Sequence, residues 1–130
     1  MENNKKILIV EDERPLSQAL VKKLTLEGFA TLTAKNGEEG LGVALREHPD
    51  LILLDIAMPI MDGLTMMKKL RQENEWGKHV PIILLTNLSA DDDKINQAIT
   101  DNEPAYYLVK SNWTISDLVE KIRERLSRQV

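Results

Sequence analysis

Four short apolar runs in this sequence each end on a side chain able to do chemistry. ILIV leads into Glu11 and Asp12, LILL into Asp55, PIILL into Thr86, and YYLV into Lys110. Gathered in one crevice, three carboxylates and one ammonium leave about two negative charges uncompensated, and two unit charges at 4 Å repel by roughly 4 kcal/mol at an effective dielectric near 20. Retained protons or a divalent cation must complete such a site. Oxygen donors without His or Cys select a hard ion, and few protein ligands with room for water suit Mg2+. General acid–base work wants a carboxyl with a raised pKa, which a cation and a lysine oppose. Nucleophilic attack wants the ionised carboxylate that those neighbours favour. The set therefore points to Asp55 as a phosphoryl acceptor. Mg2+ and Lys110 would neutralise phosphoryl charge, and the Thr86 hydroxyl would donate to a phosphoryl oxygen.

Taken singly, each residue has a plainer reading. Asp55 is a cap for the next helix, Glu11–Asp12 an acidic helix start, Thr86 a turn residue and Lys110 a solvated strand end. The joint occurrence on four strands favours the shared site, provided that the strands run parallel and end at one edge.

The pattern of elements supplies that condition. Strands are expected at 6–10, 29–34, 51–55, 80–86 and 105–110, where Ile, Leu, Val, Thr and Tyr cluster. Between and after them fall helical segments at 15–27, 38–47, 64–72, 91–99 and 116–126. Pro15 suits a first turn, the pair Asn36–Gly37 reads as a turn, and Val119, Ile122 and Leu126 share one helical face. Strict alternation predicts an α/β fold, a five-stranded parallel sheet with helices on both faces. Ligand sites in such folds gather beyond the carboxyl ends of the strands.

The 130 residues suit one domain, 1–130, and 42% apolar with 29% charged residues is an ordinary globular balance. A net charge of −4 argues against direct nucleic-acid binding. The absence of cysteine excludes disulfides and thiol chemistry, and no run is long enough for a membrane span or a signal peptide, so a cytoplasmic location is expected. His48 and His79 stand outside the strand-end set and read as surface or packing residues. The four methionines Met58, Met61, Met66 and Met67 read as adaptable packing. Trp113 reads as a hydrophobic staple before the last helix, or as an exposed anchor for a partner. The glycines of NGEEGLG lack the spacing of a dinucleotide loop.

With these residues in place, the chain resembles the receiver domain of two-component response regulators, a (βα)5 flavodoxin-like fold. ILIVEDE resembles the family's opening strand with its acidic pair, and LILLDIAMPIMDG its phosphorylation-site motif with Asp55, Met58, Pro59 and Gly63 in register. PIILLT supplies the switch threonine as Thr86, YLVK the lysine as Lys110, and Tyr107 falls at the switch aromatic. The resemblance implies that Asp55 takes a phosphoryl group from a phosphohistidine on a sensor histidine kinase or a histidine phosphotransfer protein. It implies that Asp12, Asp55 and the backbone carbonyl of Ala57 ligate Mg2+, with Glu11 acting largely through water. It further implies that Thr86 and Tyr107 then alter the face formed by the fourth helix, fifth strand and fifth helix, where a downstream protein binds.

The chain departs from the family pattern in places. Ser111 follows the lysine where proline is usual, Asn87 replaces a small residue, and Glu103–Pro104 replace a Gly-Ala pair. Ala57 and Leu88 are both apolar and unsuited to orient an attacking water, which suggests slow loss of phosphate. No output domain is expected after the final helix, so signalling would pass through protein contacts, as a monomer or a phosphorylation-dependent homodimer. Turnover is expected only as Mg2+-dependent phosphorylation from small donors and dephosphorylation of the chain itself. Two other readings stay open: a receiver-fold interaction module that acts without phosphorylation, and an aspartate-nucleophile phosphohydrolase. The second usually places an acid two residues after the nucleophile, where this chain has Ala57.

Overall fold

Near-continuous apolar strands are stable only when both faces are covered, and here both are. The computed structural model describes residues 5–86, 93–102, 104, 106–109 and 113–127. Strands β1 (Lys6–Val10), β2 (Ala30–Ala34), β3 (Leu51–Asp55), β4 (Ile82–Thr86) and β5 (Tyr106–Val109) form one sheet in the order β2-β1-β3-β4-β5. Every pairing is parallel. The helices are α1 (Arg14–Leu26), α2 (Gly37–Glu47), α3 (Gly63–Glu73), α4 (Glu75–His79), α5 (Asp93–Asn102) and α6 (Ile115–Leu126).

Successive strand residues point to opposite faces, and the apolar runs divide accordingly. Leu8, Val10, Ile52, Leu54, Ile82 and Leu84 pack with Met66, Met67 and Leu70 of α3 and Ala44 of α2, with Ile99 of α5 against the same cluster. Ile7, Ile9, Leu51, Leu53, Ile83 and Leu85 pack on the other face with Leu20 and Leu24 of α1 and Leu118, Val119 and Ile122 of α6. Fully burying one such side chain contributes about 1.5–3 kcal/mol, so the central strands anchor the fold. The expected flavodoxin-like α/β architecture is the one formed.

Helix starts are fixed by side-chain caps. Asn36 accepts from the Glu39 N–H at 2.8 Å, and Asp62 accepts from the Thr65 N–H at 2.7 Å. Thr114 and Asp117 make a reciprocal capping box for α6. Trp113, one residue before that cap, packs in the same cluster as Leu118, four residues after the cap, which is the staple arrangement. At the other end of α6, Arg123 donates to the Glu27 carboxylate at 2.6 Å and lies over the Phe29 ring, tying α6 to the end of α1.

Some expectations are corrected. Asn36–Gly37 is no free turn but the cap and first residue of α2, because the Asn36 side chain satisfies a first-turn N–H. The fourth strand starts at Ile82, two residues later than expected, since Pro81 has no N–H for the ladder. The five-residue α4 was not expected at all. One and a half turns carry no periodicity to read; the helix is held by a local N-cap, in which the Asn74 side chain accepts from the Gly77 N–H at 2.7 Å, and by a tertiary contact, Trp76 stacked on His48 with ring centroids 4.2 Å apart. The extra helix makes α5 and α6 the fourth and fifth helices of the sequence reading. The fourth was expected from 91, of which residues 91 and 92 lie outside the described residues, and it runs on to Asn102. Met66 and Met67 are fully buried, and Met58 and Met61 pack partly buried against the same core.

Candidate functional site

In the order β2-β1-β3-β4-β5 the chain leaves β1 in one direction and returns to β3 in the other, so the crevice between β1 and β3 is the topological switch point. Glu11 and Asp12 follow β1 there, and Asp55 ends β3 beside them. One carboxylate oxygen from each of Glu11, Asp12 and Asp55 lies within 4.8 Å of the others. Glu11 and Asp55 are only 3% and 4% exposed, whereas Asp12 is open to solvent.

The backbone explains how each acid is aimed. The Glu11 N–H donates to the Ala34 carbonyl at 3.0 Å, which carries the β1–β2 ladder one residue past the strand. The Glu11 carboxylate accepts the Glu13 N–H at 3.0 Å, just before α1 begins. Asp55 is in register with Leu85 of β4, and the next N–H, from Ile56, donates to the Leu85 carbonyl at 3.2 Å. Asp55 is thus the last residue of β3, with the β3–β4 ladder closed on it and just beyond it.

Below Asp55 the chain folds back sharply. The Gly63 N–H donates to the Ile56 carbonyl at 2.9 Å, closing the β3–α3 loop at its base. A Cβ at Gly63 would lie 2.1 Å from the Asp55 carbonyl oxygen, so only glycine allows α3 to start against the end of β3. Exposed Ala57 sits at the start of this loop.

Two buried carboxylates and a third beside them repel strongly unless positive charge or protons compensate. The donors fit a hard divalent cation: all three side chains offer oxygen, and none of the group is His or Cys. The open Asp12 side leaves room for the water that Mg2+ retains. Among the described residues this is the one group of acids, His or Cys with ligand spacing. His48 stacks on Trp76, and His79 bonds the Glu75 carboxylate at 3.1 Å within α4.

The remaining strand-end residues are located by backbone alone. Register places Leu85 opposite Asp55, Thr86 one residue further, and Val109 opposite Thr86. The Thr86 and Tyr107 side chains are not among those described. Lys110, like the variant positions Asn87, Leu88, Glu103 and Ser111, lies outside the described residues.

Sequence reading did not find two parts of the surroundings. The Gly37 N–H donates to the Met61 carbonyl at 2.8 Å, fastening α2 to the β3–α3 loop. Arg71 donates to the carbonyls of Gly77, Val80 and Asn102 at 2.7 to 2.8 Å, joining α3, α4 and the end of α5. A groove of about 760 Å³ lies along α3 and α5, lined in part by Lys68, Arg71 and Gln97; none of the three clustered acids lines it. No helix among the described residues is long and apolar enough to cross a membrane.

Comparison with known proteins addresses the sequence and the fold as a whole. A family model for the response regulator receiver domain matches residues 7–123. Among curated proteins, the chain is 39% identical over 123 residues to the response regulator ArlR of Staphylococcus aureus, covering 95% of this chain and 53% of that protein. It is 45% identical over 96 residues to the probable transcriptional regulator ycf27 of Pyropia yezoensis, covering 73% of this chain and 38% of that one. The chain thus spans about half the length, or less, of these relatives. Among solved structures, a CheY-like response regulator receiver domain protein from Methanospirillum hungatei superposes with a TM-score of 0.85 at 27% identity, covering 95% of this chain and 94% of the other. The BeF3-activated receiver domain of Klebsiella pneumoniae RstA gives 0.81 at 29% identity, covering 95% and 100%.

Proposed function

The chain belongs to the response regulator receiver family of two-component signalling, and from that premise we propose that Asp55 accepts a phosphoryl group from a phosphohistidine in a Mg2+-dependent step. The observation that carries the proposal is the meeting of Glu11, Asp12 and Asp55 within 4.8 Å at the switch point of a parallel sheet. An ionised Asp55 oxygen attacks phosphorus, the P–N bond breaks, and the departing imidazole nitrogen takes up a proton. The product on Asp55 is an acyl phosphate.

Asp12, Asp55 and the Ala57 carbonyl would hold the cation, and Glu11 would act through water. When bound, Mg2+ would supply positive charge to offset the negative charge of the phosphoryl group during transfer. Asp55 is held on the last rung of the sheet, so attack costs little reorganisation. Lys110 balances the remaining phosphoryl charge. Thr86 donates its hydroxyl to a phosphoryl oxygen, and its inward movement biases Tyr107. The readout is then a changed α5–β5–α6 face, recognised by a downstream protein or a second copy of the chain.

The donor is a sensor histidine kinase or a histidine phosphotransfer protein, in the cytoplasm, and the chain acts as one receiver unit that contacts neither nucleic acid nor membrane itself. Its own chemistry is limited to taking phosphate from donors, small ones included, and losing it. Intact mass after incubation with acetyl phosphate tests this. One phosphoryl adduct is expected with Mg2+, and none with EDTA or in Asp55→Asn. Failure with both acetyl phosphate and a phosphohistidine donor would give the lead to an interaction module that works without phosphorylation.

A further inference from the structure

The β3–α3 loop, which leads on from Asp55, is strained at Ile60. The Met61 N–H donates to the Pro59 carbonyl at 2.7 Å across Ile60, whose φ is 70°. A three-residue turn of positive φ is rare and strained, and a β-branched residue tolerates it least. Ile60 is also 76% exposed, so burial of its own side chain does not hold the turn. What holds the next residue is α2. The Gly37 N–H, a first-turn donor without a partner inside its helix, donates to the Met61 carbonyl at 2.8 Å. A Cβ at Gly37 would meet the Met61 carbonyl oxygen at 2.4 Å, Met61 Cγ at 2.9 Å and the Asp62 carbonyl oxygen at 3.0 Å. Only glycine lets α2 seat on the loop, and the seat is buried.

We propose that Gly37, contributed by the β2–α2 side of the sheet, is a positioning residue for the phosphoacceptor loop. It holds Met61 and the strained turn at Ile60, and so keeps the loop in the shape from which Ala57 offers its carbonyl to the cation. The inference rests on the cation reading given above, and goes beyond it by assigning a role to a residue that touches neither metal nor phosphate. Asn36 provides the internal control. It caps the same helix through Glu39 and has no bond to the loop among those described.

The test uses the whole chain as wild type, Gly37→Ala, Asn36→Ala and Gly37→Ala/Ile60→Gly. Three quantities are read: the urea midpoint, amide exchange at Gly63 without metal, and the Mg2+ Kd by calorimetry. Gly37→Ala is expected to speed Gly63 exchange by about tenfold beyond its effect on global stability, and to raise the Mg2+ Kd about fivefold, the scale of one lost backbone hydrogen bond. Asn36→Ala is expected to lower the midpoint while leaving the Mg2+ Kd within about twofold of wild type. Glycine adopts positive φ without strain, so Ile60→Gly in the Gly37→Ala background restores most of the Mg2+ affinity while the midpoint stays low. A purely structural role would not produce that separation. Exchange and Kd in Gly37→Ala that merely match Asn36→Ala would overturn the proposal. A wild-type chain that binds no Mg2+ overturns the cation reading and the positioning role with it, a result distinguishable because it appears before any substitution.

Discussion

Asp12→Asn should stabilise the metal-free protein, although it removes a charged group from the cluster of acids. Its carboxylate lies within 4.8 Å of both the Glu11 and Asp55 carboxylates. At that distance each like-charge pair costs about 3.5 kcal/mol at an effective dielectric of 20. Asp12 is exposed, so solvent and salt screen most of this, and a net gain of about 1–2 kcal/mol is the reasonable scale. Asparagine keeps the shape and the polar tip, so packing changes little. The assay is urea denaturation in EDTA, where the midpoint rises and the slope stays constant. Mg2+ should reverse the order. A ligand at 100 times its Kd stabilises the wild type by about 2.7 kcal/mol, and the variant loses most of that. The two stability curves therefore cross as Mg2+ is added. An Asp12→Asn variant no more stable than wild type in EDTA, or equally stabilised by Mg2+, would refute the reasoning.

Gly63→Ala should be severely destabilising, by about 3 kcal/mol or more, because the new Cβ would meet the Asp55 carbonyl oxygen at 2.1 Å; a urea midpoint near wild type would contradict this. Tyr106→Phe should leave stability unchanged or raise it by up to about 1 kcal/mol, since the buried Tyr106 hydroxyl has no hydrogen-bond partner among the described residues while Lys121 over the ring keeps its contact; a loss of stability would speak against it. The Arg123 hydrogen bond, then Lys23, holds the Glu27 carboxyl below the ordinary glutamate range. A carboxylate lowered on folding adds stability that is present above its unfolded pKa and lost as pH falls through the folded one. The advantage of wild type over Glu27→Gln should therefore be constant near about pH 6 and shrink by about pH 3.5, as read from urea midpoints; an advantage that grows with acid would show the sign to be wrong.

The sheet was readable in the sequence because burial on both faces leaves little choice of residue. LILLD forms β3 with all five residues buried, and KILIV forms β1 over the same five residues. The acid cluster was readable for the same reason, since a carboxylate at the end of such a run is out of place unless the sheet edge uses it. The short α4 was not readable, because five residues show no periodicity and the Trp76 ring rests on His48, 28 positions earlier in the chain. The role of Gly37 was hidden similarly. Asn-Gly reads locally as a turn, and nothing in NGEEGLG reveals that its first glycine meets Met61, 24 positions later. The acids were legible as charges at the ends of apolar runs, while a residue that lets two segments approach was not.

The central claim, that Asp55 is the phosphoryl acceptor, is tested most directly by locating the acyl phosphate. The chain is phosphorylated with Mg2+, treated with borohydride to reduce the acyl phosphate to an alcohol, digested and sequenced by mass spectrometry. The expected result is homoserine at position 55 and nowhere else, lost when EDTA replaces Mg2+. Homoserine at Asp12 or Asp62 with Asp55 intact would contradict the assignment.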